Sequence, residues 1–226
     1  MLGIRENAIA DSLNSKGYAQ LKGILSQEEI AELQNMYAQP DRFRSVINMQ
    51  RYRFGKGEYK YFQYPLPDLL IRLRESFYKE LYPIANDWMQ KLETGISYPP
   101  THAEFLEVCH RANQVRPTPL ILRYEAGGFN TLHQDLYGEI YFPFQVVFVL
   151  TKDHVGGELV FVEQLPRAQS KAEVVSPKQG DAIVFTTNFR PVNGTRGYYR
   201  AKMKHGVSEV KSGVRMAVGI IFHDAT

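Results

Sequence analysis

The 226 residues carry 27 Lys and Arg against 24 Asp and Glu, a formal net charge of +3 at pH 7, with 44% apolar residues. That balance excludes a disordered or fibrous chain, and the length suits one enzyme-sized domain burying about 70% of its unfolded surface. The longest apolar run, PFQVVFVL at 143–150, contains a glutamine and is too short for a bilayer, while a lone cysteine, Cys109, excludes an internal disulfide and a cysteine-based zinc cluster. The opening residues MLGIRENAIADSL hold acidic and polar groups where a secretory leader needs an unbroken apolar stretch, so a cytoplasmic protein is expected.

In chain order, Ser26 and Glu29 form a capping-box pattern ahead of Ile30, Leu33 and Tyr37, which predicts a helix ending by Pro40. Beyond Pro67, Leu70, Leu73, Phe77, Leu81, Ile84 and Trp88 recur every three or four residues, the stripe of an amphipathic helix lying on a flat partner. Pro83 should kink or split that helix. Thr101 and Glu104 repeat the capping box before Phe105, Leu106 and Cys109, giving a third helix with Cys109 as a small buried hydrophobe.

From Pro119 the texture changes to short β-rich runs broken by Gly, Pro and Asn. Strands are predicted at about 119–125, 141–151, 158–163, 181–187, 198–208 and 214–222, the number expected of an antiparallel jelly roll. Helices followed by strands argue an α+β fold with N-terminal helices packed on one sheet. A single domain over 1–226 is expected, mainly helical at 1–116 with a candidate lid at 48–64, and with the jelly-roll core at 117–226.

The segment ILRYEAGGFNTLHQDLYGE at 121–139 concentrates candidate chemistry. With six histidines and 24 acidic residues, about 0.6 His-x-Asp/Glu pairs arise by chance, so His133-x-Asp135 needs company to mean anything. On an extended strand His133 and Asp135 share a face, and a second histidine would complete a facial triad with open coordination positions, as in non-haem Fe(II) oxygenases. Three histidines follow: His154 in the polar loop KDHVGG, His223 three residues from the end, and His205 heading HGVSEV. His205 precedes by ten residues Arg215, which sits in the apolar run VRMAVGIIF, where an unpaired guanidinium is costly and a carboxylate partner is expected.

This order of motifs resembles the Fe(II)/2-oxoglutarate-dependent dioxygenases, whose fold is a double-stranded β-helix. Locally the match is to AlkB-type repair enzymes of alkylated DNA: Arg123-Tyr124, then Gly127-Gly128, then His133-Gln134-Asp135. Gly180-Asp181 before AIVF is similar to the turn that opens a late core strand in that superfamily. The chain as a whole, with PLPDLL and RPTPLILRY, resembles a bacterial oxygenase family assigned to oxidative removal of alkyl damage from nucleic acid. The resemblance implies His133, Asp135 and His205 as iron ligands, Arg215 on the distal carboxylate of 2-oxoglutarate, and Tyr124 as its hydrogen-bond donor. It further implies Fe(II), 2-oxoglutarate and O2 as cofactors with ascorbate as reductant, and C–H hydroxylation releasing succinate and CO2. One departure is visible: AlkB-type enzymes carry two further polar or basic residues after that arginine, whereas Met216, Ala217, Val218 and Gly219 follow here.

Two stretches mix cations with aromatics, as a nucleic-acid grip would. RYRFGKGEYKYFQY at 51–64 is a candidate substrate lid, and RPVNGTRGYYRAKMK at 190–204 is expected to form a loop at the barrel mouth before His205. An exposed hairpin with one buried face has the same alternation. Nucleic acid is therefore the first substrate reading. A peptide is the alternative, since Gly156-Gly157-Glu158-Leu159 resembles the G-G-x-L turn of prolyl-type hydroxylases.

Overall fold

The computed structural model describes residues 6–136, 138–165 and 168–226, so residues 1–5, which carry part of the leader expectation, lie outside the described residues. The elements are α1 (Glu6–Lys16), β1 (Tyr18–Leu21), α2 (Gln27–Met36), β2 (Phe43–Asn48), β3 (Gly55–Lys56), β4 (Glu58–Phe62), α3 (Asp68–Lys91) and α4 (His102–Arg111). They continue with β5 (Leu120–Tyr124), β6 (Phe129–His133), β7 (Phe144–Val149), β8 (His154–Gly156), β9 (Leu159–Gln164) and β10 (Lys171–Val175). The last five are β11 (Ala182–Thr186), β12 (Phe189–Gly194), β13 (Gly197–Val207), β14 (Val210–Gly213) and β15 (Arg215–Ile221).

Seven strands form one sheet in the order β1-β11-β7-β15-β5-β4-β2, and five form a second, β10-β9-β13-β6-β3, with β12 added through β13. These pairings are antiparallel. From β5 onward the chain crosses repeatedly between the two sheets, which is the winding of a jelly roll. All six strands expected from the sequence are present, yet 18–62 holds four further strands where a helix followed by a candidate lid was expected. Those strands widen both sheets: β1 joins one edge of the first, β4 and β2 the other, and β3 the second sheet.

Period-two alternation sorts each central strand between two cores. On β7, Phe144, Val146 and Phe148 belong to the core under the helices, whereas Val147 packs with the core between the sheets and Gln145 faces a cavity there. The stripe of α3 lies on the first of these faces, with the Phe77 and Phe148 rings 5.5 Å apart and Trp88 and Phe144 4.6 Å apart. Phe77 and Trp88 are both fully buried, so Phe77→Ala would cost about 3–5 kcal/mol. The helix runs unbroken through Pro83 because Pro83 and Lys79, whose carbonyl loses its partner, both face solvent.

The two capping boxes form as the sequence indicates, Ser26 with Glu29 on α2 and Thr101 with Glu104 on α4, and Cys109 is buried in α4. Arg74, buried in α3, donates to the carbonyls of Ile221 and Phe222 and pairs with Asp224 at 2.8 Å, which ties the helical layer to the end of β15. Asp181 accepts from the backbone N–H of Gly23 and of Lys178, so the Gly180-Asp181 turn anchors the start of β11. Among the described residues no helix is long and apolar enough to cross a membrane.

Candidate metal centre

Strand β6 ends at His133, and its register on β13 sets His133 directly opposite His205. Asp135 lies just past the strand end, where Gln134 holds the backbone: its side-chain amide donates to Asn188 O, Asn188 Oδ1 and Met203 O at 2.7, 2.7 and 2.9 Å. The result is one cluster, with ligand atoms of His133, Asp135 and His205 all within 4.8 Å of one another. His205 Nε2 is 3.1 Å from Asp135 Oδ2, and His133 Nε2 is 3.5 Å from Oδ1.

Each member is prepared for a cation. His133 Nδ1 lies 2.7 Å from the Thr131 carbonyl, which requires a proton on Nδ1 and turns Nε2 toward the cluster. Gln145 donates to Asp135 Oδ2 at 2.8 Å, orienting the carboxylate. Burial opposes ionisation of Asp135, but His205 and His133 outweigh it and hold the carboxyl well below the usual carboxylate range. Burial pushes His205 down, whereas His133, where burial is overcome by the hydrogen bond and charge of Asp135, is raised. The two histidines shift oppositely beside one carboxylate because His205 is the more deeply buried. A metal taking this place would displace the proton that His133 shares with Asp135. Two imidazole nitrogens and a carboxylate fit Fe(II) with coordination positions left for other ligands.

The cluster sits in a cavity of about 260 Å³ between the sheets. At its other end Arg215 and Tyr124, paired across β15 and β5, are both buried. One guanidinium nitrogen, Nη2, has no hydrogen-bond partner among the described residues, and the Tyr124 hydroxyl has only the Asn130 side chain near it as a loose hydrogen-bond neighbour. Burial pushes the Tyr124 phenol up to about 12, so it is a donor at neutral pH. The carboxylate partner that the sequence suggests for Arg215 is absent from the described residues: no ion pair forms, and Glu158 acts only at longer range. An unpaired buried guanidinium is costly, so this end of the cavity fits a ligand carboxylate.

Thus Tyr124, His133, Asp135, His205 and Arg215 line one cavity, whereas His154 lies outside it and His223 is buried beneath Phe142. Gly156-Gly157 closes on the arginine. At φ +73°, a Cβ on Gly157 would meet Arg215 Cδ at 2.6 Å, so this turn shapes the carboxylate end. The stretch 51–64 reaches the cavity through Phe54, Tyr59 and Tyr61. Strand β4 embeds part of that stretch in the sheet, while Phe54 is exposed at 46% and stacks on Tyr52 at 5.6 Å. Its carbonyl accepts from the N–H and the hydroxyl of Thr131, two residues before His133.

The stretch 190–204 differs from expectation, since none of its residues lines the cavity. It is the β12–β13 hairpin, with Arg190 bonded to Glu163 and to Asn14 O, and with Lys91 of α3 lying 5.5 Å from the Tyr198 ring centre. Sequence reasoning missed Gln145, and it singled out Gly157 only within the G-G-x-L turn, not as a neighbour of Arg215. The one visible trace of Gln145 is a polar residue interrupting an apolar strand.

Residues 57–225 match the sequence profile of a family described as an oxygenase catalysing oxidative methylation of damaged DNA. An uncharacterised protein of Mycobacterium tuberculosis is 45% identical over 167 residues, 73% of this chain and 72% of that protein. Among solved structures, a Pseudomonas putida prolyl-4-hydroxylase superposes with TM-score 0.59 at 14% identity, covering 98% of this chain and 100% of that one. A Burkholderia pseudomallei oxidoreductase of the 2OG-Fe(II) oxygenase family gives 0.57 at 17% identity, with 99% and 93% covered. A Trichoplax adhaerens prolyl hydroxylase in complex with a hypoxia inducible factor peptide fragment gives 0.60 at 13%, with 97% and 89% covered. At such identities these structures share the fold alone.

Proposed function

The chain belongs to this oxygenase family and is a non-haem Fe(II)/2-oxoglutarate dioxygenase, and on that premise we propose that it removes alkyl groups oxidatively from damaged nucleic acid in the cytoplasm. The observation that carries the substrate class is the rim: the triad's cavity opens beside Phe54, an exposed aromatic in a run holding Arg51, Arg53 and Lys56, all exposed. Aromatic faces stack on bases and cations meet phosphates, so such a rim suits a base extruded toward a buried centre. The 226 residues act in this reading as one catalytic domain.

His133, Asp135 and His205 hold Fe(II), and Arg215 with Tyr124 takes the distal carboxylate of 2-oxoglutarate by charge-assisted hydrogen bonds. When bound, Fe(II), 2-oxoglutarate and O2 together supply the oxidising power that inserts one oxygen into a substrate C–H bond while 2-oxoglutarate becomes succinate and CO2. Gln145 and Gln134 keep Asp135 and its backbone in position for that ligand set. Val147, Leu159, Phe185 and Val207 line the cavity with apolar surface and exclude water. Hydroxylation of an N-methyl carbon gives an N-hydroxymethyl group, whose C–N bond then breaks to return the N–H and release formaldehyde.

The test is incubation of purified protein with Fe(II), 2-oxoglutarate, ascorbate and N-methylated single-stranded DNA, with formaldehyde as readout. Formaldehyde is expected. Its absence, beside turnover of a proline-containing peptide, would replace this substrate class with a prolyl-type one.

A further inference from the structure

On the first sheet the cavity wall is extended by a ladder of stacked groups. Tyr59 and Tyr61 of β4 both line the cavity and meet edge to face, with 5.4 Å between ring centres. Arg44 of the neighbouring edge strand β2 lies on Tyr61, its guanidinium carbon 4.5 Å from the ring centre. Its Nε donates to the Pro117 carbonyl at 3.0 Å, which draws Arg44 to the residue next to Arg116. Arg116 is fixed in turn by a reciprocal backbone pair with Ala225, at 2.9 and 2.8 Å. Strand pairing thus brings two cations to one end of the ladder.

Arg44 is half-buried and Arg116 exposed, and neither side chain forms an ion pair among the described residues. The acid whose charge reaches Arg44, Asp224, is already held by Arg74 at 2.8 Å and by the Tyr64 hydroxyl at 2.8 Å. Burial pushes the Arg44 guanidinium down, and the like charge of Arg116 adds to that. An anion between the two would offset their repulsion. Tyr61 and Pro117 hold the guanidinium on one face and one edge, and its two Nη groups make no hydrogen bond among the described residues. A planar fork already ordered in this way matches the two non-bridging oxygens of a phosphodiester. Arg51, Arg53 and Lys56 stand on the other wall: they flank Phe54, whose carbonyl is bound by Thr131 of β6 in the second sheet, whereas Arg44 belongs to the first.

We propose that Arg44 and Arg116 form a phosphate site for a nucleic-acid strand, opposite the Arg51–Lys56 rim, so that the two phosphodiesters flanking an extruded nucleotide are held on opposite walls of the cavity. The identity of the anion as a backbone phosphate rests on the nucleic-acid reading of the function, whereas the arginine pair itself does not. A strand gripped on both sides presents the nucleotide between the grips to the cavity, where Phe54, Tyr59 and Tyr61 offer ring faces and edges to its base. The two arginines meet the backbone and not the reacting carbon, so they act on binding and register.

Fluorescence anisotropy with a labelled single-stranded oligonucleotide carrying one N-methylated base tests this, on full-length protein with Fe(II) and 2-oxoglutarate held without O2. Arg44→Gln/Arg116→Gln should weaken binding about tenfold or more and lower the slope of log K against log salt by about one. A neutral methylphosphonate at one of the two linkages flanking the methylated nucleotide should weaken wild type equally and abolish the further loss in the variant. The same replacement at the other linkage should leave that loss intact and couple instead to Arg51→Gln/Arg53→Gln. Arg116→Gln alone, at an exposed side chain, should weaken binding about threefold or more with unchanged thermal unfolding, and it decides the matter if the double variant does not fold. Equal affinity of variant and wild type for the ordinary oligonucleotide, or a loss that no single linkage relieves, would overturn the proposal. Formaldehyde release by wild type is scored separately: release with an unaffected variant overturns this site alone. Neither DNA binding nor release in wild type, beside an acidic peptide whose binding the variant loses, overturns the nucleic-acid reading and the phosphate assignment together.

Discussion

Residues 51–64 and 190–204 both mix cations with aromatics, and the fold uses them in opposite ways. The first is drawn to the cavity because β3 pairs with β6, the strand that ends in His133, and β4 pairs with β5, the strand that ends in Tyr124. The second pairs with itself as a hairpin, and its partly buried arginine is consumed by Glu163 and Asn14. Composition therefore describes a chemical capacity, and strand register decides whether that capacity reaches the chemistry.

Substitutions in the two stretches should separate just as clearly. The largest effect is expected from Phe54→Ala. Losing one base-stacking face should lower kcat/KM for methylated single-stranded DNA by roughly tenfold to a hundredfold, measured by formaldehyde release, with 2-oxoglutarate affinity unchanged. Equal kcat/KM would mean that Phe54 does not meet substrate. Next is Arg190→Ala, which leaves Glu163 without its partner and should cost about 1–3 kcal/mol in chemical denaturation while DNA affinity stays constant. A loss of DNA affinity without loss of stability would reverse the comparison.

Arg51→Glu/Arg53→Glu should weaken DNA binding and reduce the slope of log K against log salt by about two, with melting temperature little changed. An unaltered salt slope would remove these arginines from the phosphate path. The smallest effect belongs to the hairpin tip, where Arg196→Ala/Tyr198→Ala should stay within about 0.5 kcal/mol in stability and leave turnover unchanged. A large fall in activity there would show that the second stretch also grips substrate.

The sequence was most legible where local rules suffice. Both capping boxes, the α3 stripe and the six central strands were readable because each announces itself within a few residues. Strand β4, EYKYF, was not placed as a sheet strand, since Glu58, Tyr59 and Lys60 are only half-buried and its charges suit an exposed lid or hairpin as well as a sheet. Strand β6 is similarly polar, because one of its faces serves the cavity. At the candidate site, His133, Asp135, His205, Tyr124 and Arg215 could be named from motif order, and the fold places all five around one cavity. The contact of Gln145 with Asp135 and that of Gly157 with Arg215 escaped because each joins residues that only the fold brings together. Arg215 also showed the limit of pair logic. Its burial was legible, but no carboxylate pairs with it among the described residues, and under the proposed function a ligand carboxylate would supply that anion.

The most direct test of the central claim is the stoichiometry of succinate and formaldehyde produced from 2-oxoglutarate and methylated single-stranded DNA, by wild type and by His133→Ala. The account predicts equal amounts of the two products from wild type and neither above background from the variant, which loses an imidazole of the triad. Equal activity in His133→Ala, or formaldehyde released without succinate, would contradict it.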